Sequence, residues 1–179
     1  MANDYMNLLR ISGTKEQVDV FVGLARTWRT SLTFENLCPP PEGMSDGPEL
    51  ERWKVENWGS PSPWPHMQPA ERIVEFGTHI ADYSFGTRGT PPFVLLEHLA
   101  GQHPDLILTL ATFEENMMHA EVRVAHGEER FERILDAGKL IDERDAGELN
   151  EDEVFDELKQ VASEAIDRIL GGPPTYRTP

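Results

Sequence analysis

The amino-acid sequence predicts an α+β protein in which helices cover one sheet. Segments with strand periodicity alternate with segments of helical periodicity, and stretches rich in Pro and Gly separate them. A third observation is the change to an acidic composition with helical spacing from Gly127 onward. With 179 residues, the chain is long enough to bury a core of its own.

The first elements are a strand, a helix and a second strand. Residues 5–12 alternate as a strand does, and Thr14 and Gln17 have the spacing of a capping box at a helix start. The helical period predicts a helix that ends near Trp28, with its apolar residues at Val18, Phe21, Val22 and Ala25. Residues 31–37 are predicted to form the second strand, which ends at a run of three prolines.

Residues 39–78 are predicted to be an irregular insertion. Pro48 suits a first helical position and Gly59 suits a helix end, so a short helix is expected between them. The proline-rich stretch 60–65 excludes both a helix and a central strand. Residues 71–76 are expected to form a short strand.

The chain then returns to regular structure. Residues 79–87 alternate as a strand, and a helix is expected from Pro92 to about Gly101. Residues 106–110 are the most continuous apolar run and are predicted to be a central strand. Glu114, Glu115 and Asn116 are expected at a solvated hairpin tip, with a returning strand over 118–124.

From Gly127 the sequence predicts an acidic helical extension. Phe131, Ile134 and Leu135 stand among charges at helical spacing, and Asn150 is placed to cap a further helix. That helix would carry an apolar stripe made of Val154, Leu158, Val161, Ala165, Ile166 and Ile169. The element order is that of a ferredoxin-like split βαβ sandwich over residues 1–126, with the insertion 39–78, followed by the extension 127–179.

Charge is the strongest feature of the composition. The chain has 32 acidic and 16 basic residues, a formal net charge of −16, and between Glu114 and Leu158 there are 16 acidic and 5 basic residues. Such a surface repels phosphate backbones and anionic lipids, which disfavours direct nucleic-acid or membrane binding. It favours a basic partner surface, or it serves only solubility. The lone Cys38 excludes an internal disulfide, and the absence of a signal or apolar span predicts a cytoplasmic protein.

Several segments resemble the YubB ferredoxin-like family of plasmid and prophage proteins. The opening NLLRISG at 7–13 is similar to that family's first strand and glycine, and WKVENWGS at 53–60 resembles its central ENWG signature. FGTRGTPP at 85–92 resembles its strand-to-helix junction, and residues 104–106 and 113–115 follow in the expected order. The resemblance implies the fold and a mobile-element origin. It implies no established reaction, so it assigns no catalytic residue.

Two segments are candidate partner-binding surfaces. The first is the ENWG tract, because Trp is enriched at binding hot spots and Asn can anchor a polar group; the alternative is that its tryptophans only cover the sheet edge. The second is the acidic extension; the alternative is a solvated helical face that packs on the domain or on a second copy. The candidate residues are Trp53, Glu56, Asn57, Trp58, Trp64, Glu128, Glu129, Glu132, Asp136, Glu151, Asp152, Glu153, Asp156 and Glu157.

The sequence contains no motif that predicts catalysis, a cofactor or a metal. Residues 142–153 have the length of an EF-hand loop, but Arg144 and Ala146 stand where ligands are needed. The histidines have no zinc spacing, and Glu114 and Glu115 are adjacent on a strand and so face opposite ways. We therefore expect a protein that is not an enzyme.

The first functional hypothesis is a phage- or plasmid-encoded acidic binding protein. It would engage the basic surface of a host protein and inhibit a nucleic-acid-targeting defence system of the anti-CRISPR or anti-restriction type. The alternative is a ferredoxin-like module that binds a nucleotide, a single-stranded nucleic acid or a small ligand on its Trp-rich face. A homo-oligomer formed through the C-terminal helices is a third hypothesis.

Overall fold

The computed structural model describes residues 4–44, 46–61, 63–64, 72–75, 78–114, 120–135 and the single residue 160. The helices in this part of the chain are α1 (Lys15–Ala25), α2 (Phe34–Leu37), α3 (Pro48–Trp58) and α4 (Phe93–Gln102). The strands are β1 (Asp4–Gly13), β2 (Pro63–Trp64), β3 (Arg72–Glu75), β4 (Thr78–Arg88), β5 (Ile107–Glu114), β6 (Ala120–His126) and β7 (Glu129–Leu135).

The seven described strands form one antiparallel sheet, and β1 lies at its centre. Leu9 of β1 is opposite Tyr83 of β4 on one side and Leu110 of β5 on the other. β6 and β7 continue the sheet beyond β5, while β2 and β3 both pair with β4. The predicted α+β class is therefore confirmed, and the arrangement around β1 is compatible with a ferredoxin-like fold.

The helices pack on one face of this sheet. α1 buries Val18 and Phe21, and α4 buries Leu95 and Leu99 against apolar side chains of the central strands. Leu9, Ile11, Tyr83, Phe85, Leu108 and Leu110 supply the strand side of that core. Because side chains alternate along a strand, every second residue of β1, β4 and β5 points toward the helices.

α3 closes the core near the ends of β4 and α4. Trp58 at its C-terminus is fully buried, and its ring meets that of Phe34 edge-on at 5.7 Å. Gly59 follows in the left-handed conformation (φ 83°), which ends the helix as the sequence predicts. A side chain at Gly59 would place its Cβ 3.0 Å from the carbonyl oxygen of Pro91, so the chain needs glycine there.

The predicted strand over residues 31–37 is wrong. The chain forms α2 there, and Phe34 and Leu37, three residues apart, both enter the core from that single turn. The strands β2 and β3 pair with β4 on the side where the predicted strand would have to lie. α1 also ends at Ala25 instead of Trp28, because Arg26 adopts an extended conformation.

The helical prediction for the start of the acidic extension is also wrong. Phe131, Ile134 and Leu135 lie on β7, which pairs with β6 from His126↔Glu129 to Ala120↔Leu135. The sheet therefore continues past residue 126, up to Leu135. Beyond it, Gln160 is helical, and the remaining predictions for residues 136–159 and 161–179 lie outside the described residues.

The other predicted elements agree with the structure. α3, β3, β4, α4, β5 and β6 lie where periodicity and proline placement predict them. β5 is buried along its whole length, as expected of a central strand. Antiparallel β5 and β6 confirm the predicted hairpin, whose tip at 115–119 lies outside the described residues. Within the described residues, none of the helices has the length and apolar character that a membrane crossing requires.

Candidate interaction surface

The outer side of α1 carries solvent-exposed apolar residues. Thr14 caps the helix in a capping box with Gln17, so the predicted start is confirmed. The helix buries Val18, Phe21 and Ala25, whereas Val20 and Leu24, one turn apart, remain 64% and 43% exposed. An amphipathic helix normally places polar residues on its water side, so these two side chains need another explanation.

Trp28, in the turn that follows α1, is 86% exposed, more than any other large apolar side chain described. The Arg29 guanidinium lies over the indole, with its central carbon 4.1 Å from the ring centroid. We call Val20, Leu24, Trp28 and Arg29 the α1 surface. Trp28 was not among the predicted binding residues, because the helical periodicity placed it at the end of the predicted helix.

Hydrogen bonds fix the turn that presents Trp28. The Thr27 amide donates to the carbonyl of Thr30 at 2.8 Å, and the Thr27 hydroxyl accepts from the amides of Arg29 and Thr30. The Asn36 side chain donates to the carbonyls of Leu24 and Arg26, which ties the turn to α2. An exposed tryptophan on a fixed turn loses little conformational entropy on binding, which suits an anchor residue.

A groove of about 290 Å³ lies at the N-terminal end of the α1 surface. Its apolar floor includes Leu106, and two carboxylates stand at its rim. Residues that line it include Glu16, Val20, His103, Pro104, Asp105 and Leu106. Because Val20 belongs to both features, the groove and the α1 surface are continuous.

His103 stands in the groove wall, with its ring edge-on to Phe21 at a centroid distance of 5.5 Å. Its Nε2 is buried and has no hydrogen-bond partner in the part of the chain that the structure describes. Burial lowers the pKa of His103 from its usual value of 6.5. The folded protein therefore favours the neutral imidazole.

This shift predicts a pH-dependent stability. Because the folded protein disfavours the imidazolium, the contribution of His103 is complete above pH 6.5 and is lost as the pH falls below that value. We expect the free energy of unfolding to decline below pH 6.5, and His103→Gln to reduce that decline. Urea titrations between pH 5 and 8 measure this. The exposed His98 on α4 supplies the control, His98→Gln, and an equal effect of both variants would contradict the prediction.

The turn between β6 and β7 brings acidic residues beside the groove. A Cβ at Gly127 would lie 3.5 Å from the carbonyl oxygen of Pro104, so the turn touches the groove rim. Glu128 and Glu129 are exposed there. Glu132 is also exposed, but Arg123 lies 3.6 Å from its carboxylate. Of the predicted acidic residues, Asp136, Glu151, Asp152, Glu153, Asp156 and Glu157 lie outside the described residues.

The ENWG tract does not form the predicted surface as a whole. Trp58 is fully buried and donates through Nε1 to the carbonyl of Cys38 at 2.9 Å, so its prediction as a partner contact is wrong. Trp53 is partly buried and packs edge-on against Trp58 at 5.7 Å. The side chain of Asn57 donates to the Trp53 carbonyl, and Glu56 is exposed.

Trp64 contributes its backbone to the edge of the sheet. It lies on β2, opposite Gly86 of β4. Its side chain lies outside the described part of the structure, so its prediction as a binding residue stays a prediction.

A buried polar cluster lies on the helix-covered face at one end of the sheet. Glu114 and Glu121 are 7% and 4% exposed, and Tyr5 lies opposite Glu114 in the β1–β5 register. The prediction that Glu114 is solvated is therefore wrong. Burial, and then the charges of Glu114 and Glu121, raise the pKa of Tyr5. Arg123 donates to Glu121 at 2.6 Å and stacks on Phe93.

Nothing in the described part of the chain points to a metal site, and comparisons with known proteins found no match. Among the described residues, no group of three or more His, Cys, Asp or Glu side chains is placed to hold a metal ion. A scan against protein-family models found no matching family, and searches of curated proteins and of solved structures found no match. The fold and the exposed surface define the class of this protein: an α+β protein with exposed apolar residues on the outer side of α1. The resemblance to the YubB family stays a prediction.

Proposed function

We propose that this is a non-enzymatic binding protein that acts through protein–protein contact at the α1 surface. The observation that carries the proposal is the exposure of Val20, Leu24 and Trp28 beside an apolar groove. Contiguous apolar surface rimmed by polar residues is typical of protein interfaces, and Trp and Arg are the residues most enriched at hot spots. The fitting partner offers an apolar pocket for the indole.

The charges around the α1 surface indicate how such a partner would be oriented on it. The net charge of −16 favours a partner with a basic surface, and Glu16, Asp105 and Glu128 place carboxylates around the groove. Arg26 and Arg29 stand at the opposite end of α1. A partner with cations facing the groove, an apolar pocket for Trp28 and acidic groups near Arg26 and Arg29 therefore complements the whole surface.

A more specific proposal follows from the charge and from the family resemblance. In it, the protein has a ferredoxin-like fold, comes from a phage or plasmid, and inhibits a host nucleic-acid-targeting defence system by occupying a basic surface. The exposed carboxylates of Glu128 and Glu129 support the electrostatic part of this proposal. The pairing of Glu132 with Arg123 weakens it for that residue.

Replacement of Trp28 tests the proposed function. The immobilised protein is expected to retain one partner from a bacterial lysate, and Trp28→Ala is expected to weaken the purified complex about 30-fold. That factor corresponds to about 2 kcal/mol, the loss typical of a hot-spot residue. Surface plasmon resonance measures the dissociation constant.

The matched control is Val55→Ala, which removes an exposed apolar side chain from α3 instead. This control should leave the dissociation constant within about two-fold of the unchanged protein, because it lies outside the α1 surface. Equal affinity of the Trp28→Ala protein would reject the α1 surface as the interface. An association rate that does not fall with added salt would reject the electrostatic part alone.

The alternative function, a ligand stacked on the Trp-rich face, has less support. Trp58 is inside the core, and side chains on both faces of the central strands β5 and β6 are buried. The strands β5 and β6 therefore offer no open face on which a base could stack.

A further inference from the structure

The groove beside α1 has walls that hydrogen bonds hold in place. On the α1 side, Thr14 and Gln17 form the capping box, in which the Thr14 amide donates to Oε1 of Gln17 at 2.8 Å. On the other side, the His103 amide donates to the carbonyl of Leu99 at 2.8 Å, and the Leu106 amide donates to the carbonyl of His103 at 3.0 Å. Because both walls are already ordered, a ligand loses little free energy to rearranging them.

The floor of the groove is apolar, and Gly13 makes room for it. Leu106 lies in the floor and is only 2% exposed, and Val20 and Pro104 add apolar atoms beside it. A side chain at Gly13 would place its Cβ 2.6 Å from Cδ2 of Leu106 and 2.9 Å from Oε1 of Gln17, so only glycine leaves both side chains where they stand. The groove therefore offers apolar contact to the aliphatic part of a ligand.

The rim of the groove is negatively charged. Its lining residues, all within the described ranges, include the exposed carboxylates of Glu16 and Asp105 and no lysine or arginine. Lys15, the neighbour of Glu16, pairs with Asp19 instead. Neither rim carboxylate forms an ion pair with another described residue. Burial favours the neutral imidazole of His103 in the wall, so the wall does not repel a cation.

We propose that the groove receives an arginine side chain of the partner, an inference that rests on the proposed function. The aliphatic part of the arginine lies over Leu106 and Val20, and its guanidinium reaches the carboxylates of Glu16 and Asp105. A guanidinium suits a rim whose two carboxylates come from different elements, because its planar fork presents five donors. It is also more weakly hydrated than an ammonium group.

The position of the groove on α1 determines where the arginine stands relative to Trp28. Glu16, Val20 and Leu24 follow one another at intervals of four residues and so share one side of the helix. From Glu16 to Leu24 the helix rises by about 12 Å. The arginine thus marks one end of the contact and the indole of Trp28 marks the other. Two anchors at opposite ends fix the orientation of the partner on α1.

Titration with a small arginine analogue tests this inference without the partner. The probe is Nα-acetyl-arginine methylamide, added to the isotope-labelled full-length protein and followed by heteronuclear NMR. The amide resonances of Val20, Asp105 and Leu106 are expected to shift until the site is saturated, with a millimolar dissociation constant as befits so small a ligand. The citrulline analogue has the same shape but no charge, so it is expected to bind about five-fold more weakly.

Removal of the rim charges is expected to have the same effect. Glu16→Gln combined with Asp105→Asn should weaken binding of the arginine analogue about five-fold. The matched control is Glu42→Gln combined with Glu49→Gln, which removes two exposed carboxylates outside the groove. It leaves the same net charge and should keep the dissociation constant within about two-fold of the unchanged protein, because salt screens distant charges.

Three results would overturn the proposal: no saturable shifts at the groove, equal binding of the citrulline analogue, or equal losses in the two double variants. The proposed function fails separately. A weaker partner complex with Trp28→Ala but no probe in the groove rejects the arginine alone. Probe binding in the groove with an unchanged partner complex of the Trp28→Ala protein rejects the α1 surface as the interface.

Discussion

Trp58→Ala is expected to lower the free energy of unfolding by about 3–5 kcal/mol, the cost of deleting a large buried aromatic side chain. Trp58 is fully buried and meets Phe34 and Trp53 edge-on. The variant also removes the donor to the Cys38 carbonyl, which would be left without that hydrogen bond. Urea denaturation followed by circular dichroism measures the change.

Trp28→Ala is the matched comparison for this prediction. Trp28 is 86% exposed, so its removal should change the free energy of unfolding by at most about 0.5 kcal/mol. One tryptophan would then support the fold and the other would support binding. Equal destabilisation by the two variants would contradict the assignment of Trp58 to the core and Trp28 to the surface.

Asn7→Asp is expected to destabilise the protein by about 3 kcal/mol or more at neutral pH, because it buries a charge and replaces an amide donor with an acceptor. Asn7 is fully buried on β1, and its Nδ2 lies within hydrogen-bonding distance of the carbonyls of Tyr5 and Phe85 and of the Thr87 hydroxyl. An aspartate would turn an acceptor toward these carbonyls. Urea titration at pH 7 measures the loss.

The effect of Asn7→Asp should depend on pH. Burial would raise the pKa of the new carboxyl above its unfolded value of about 3.9, so the folded state would hold the proton more tightly. The destabilisation is therefore largest above the folded pKa and shrinks as the pH falls through it. Asn36→Asp is the control, because Asn36 also donates to backbone carbonyls but is exposed. A loss as large as that of Asn7→Asp would contradict the role of burial.

The sequence correctly predicted those elements that depend on residues close together in the chain. The capping box of Thr14 and Gln17 and the end of α3 at Gly59 depend on residues within one turn, and both are confirmed. The apolar run of β5 needs only a sheet that is covered on both sides, which its continuous burial confirms.

The errors arose where two structures fit the same local pattern. Phe34 and Leu37 can belong to a strand or to a single helical turn, and the core decided for the turn. Phe131 and Ile134 have helical spacing, yet hydrogen bonds to β6 hold them in β7. In a segment this short, hydrophobic periodicity does not distinguish a helix from an edge strand. A helix buries about every third or fourth residue and a strand every second, so a few apolar positions fit either pattern.

The candidate site was harder to predict than the fold. Composition drew attention to the tryptophans of the ENWG tract, but burial is a property of the assembled core, and it placed Trp58 inside and left Trp28 in water. The signal that could have found the α1 surface is the pair Val20 and Leu24 on the polar side of α1, one turn apart.

By itself, the sequence determined the α+β class, the net charge of −16, the helix caps and the central strand, because each depends on composition or on neighbours in the chain. Only the tertiary structure decided that the sheet extends to β7, that Glu114 is buried and that Trp28 is exposed. These three depend on which strands pair and which side chains meet across the core. Such contacts join residues far apart in the chain, and no local pattern specifies them.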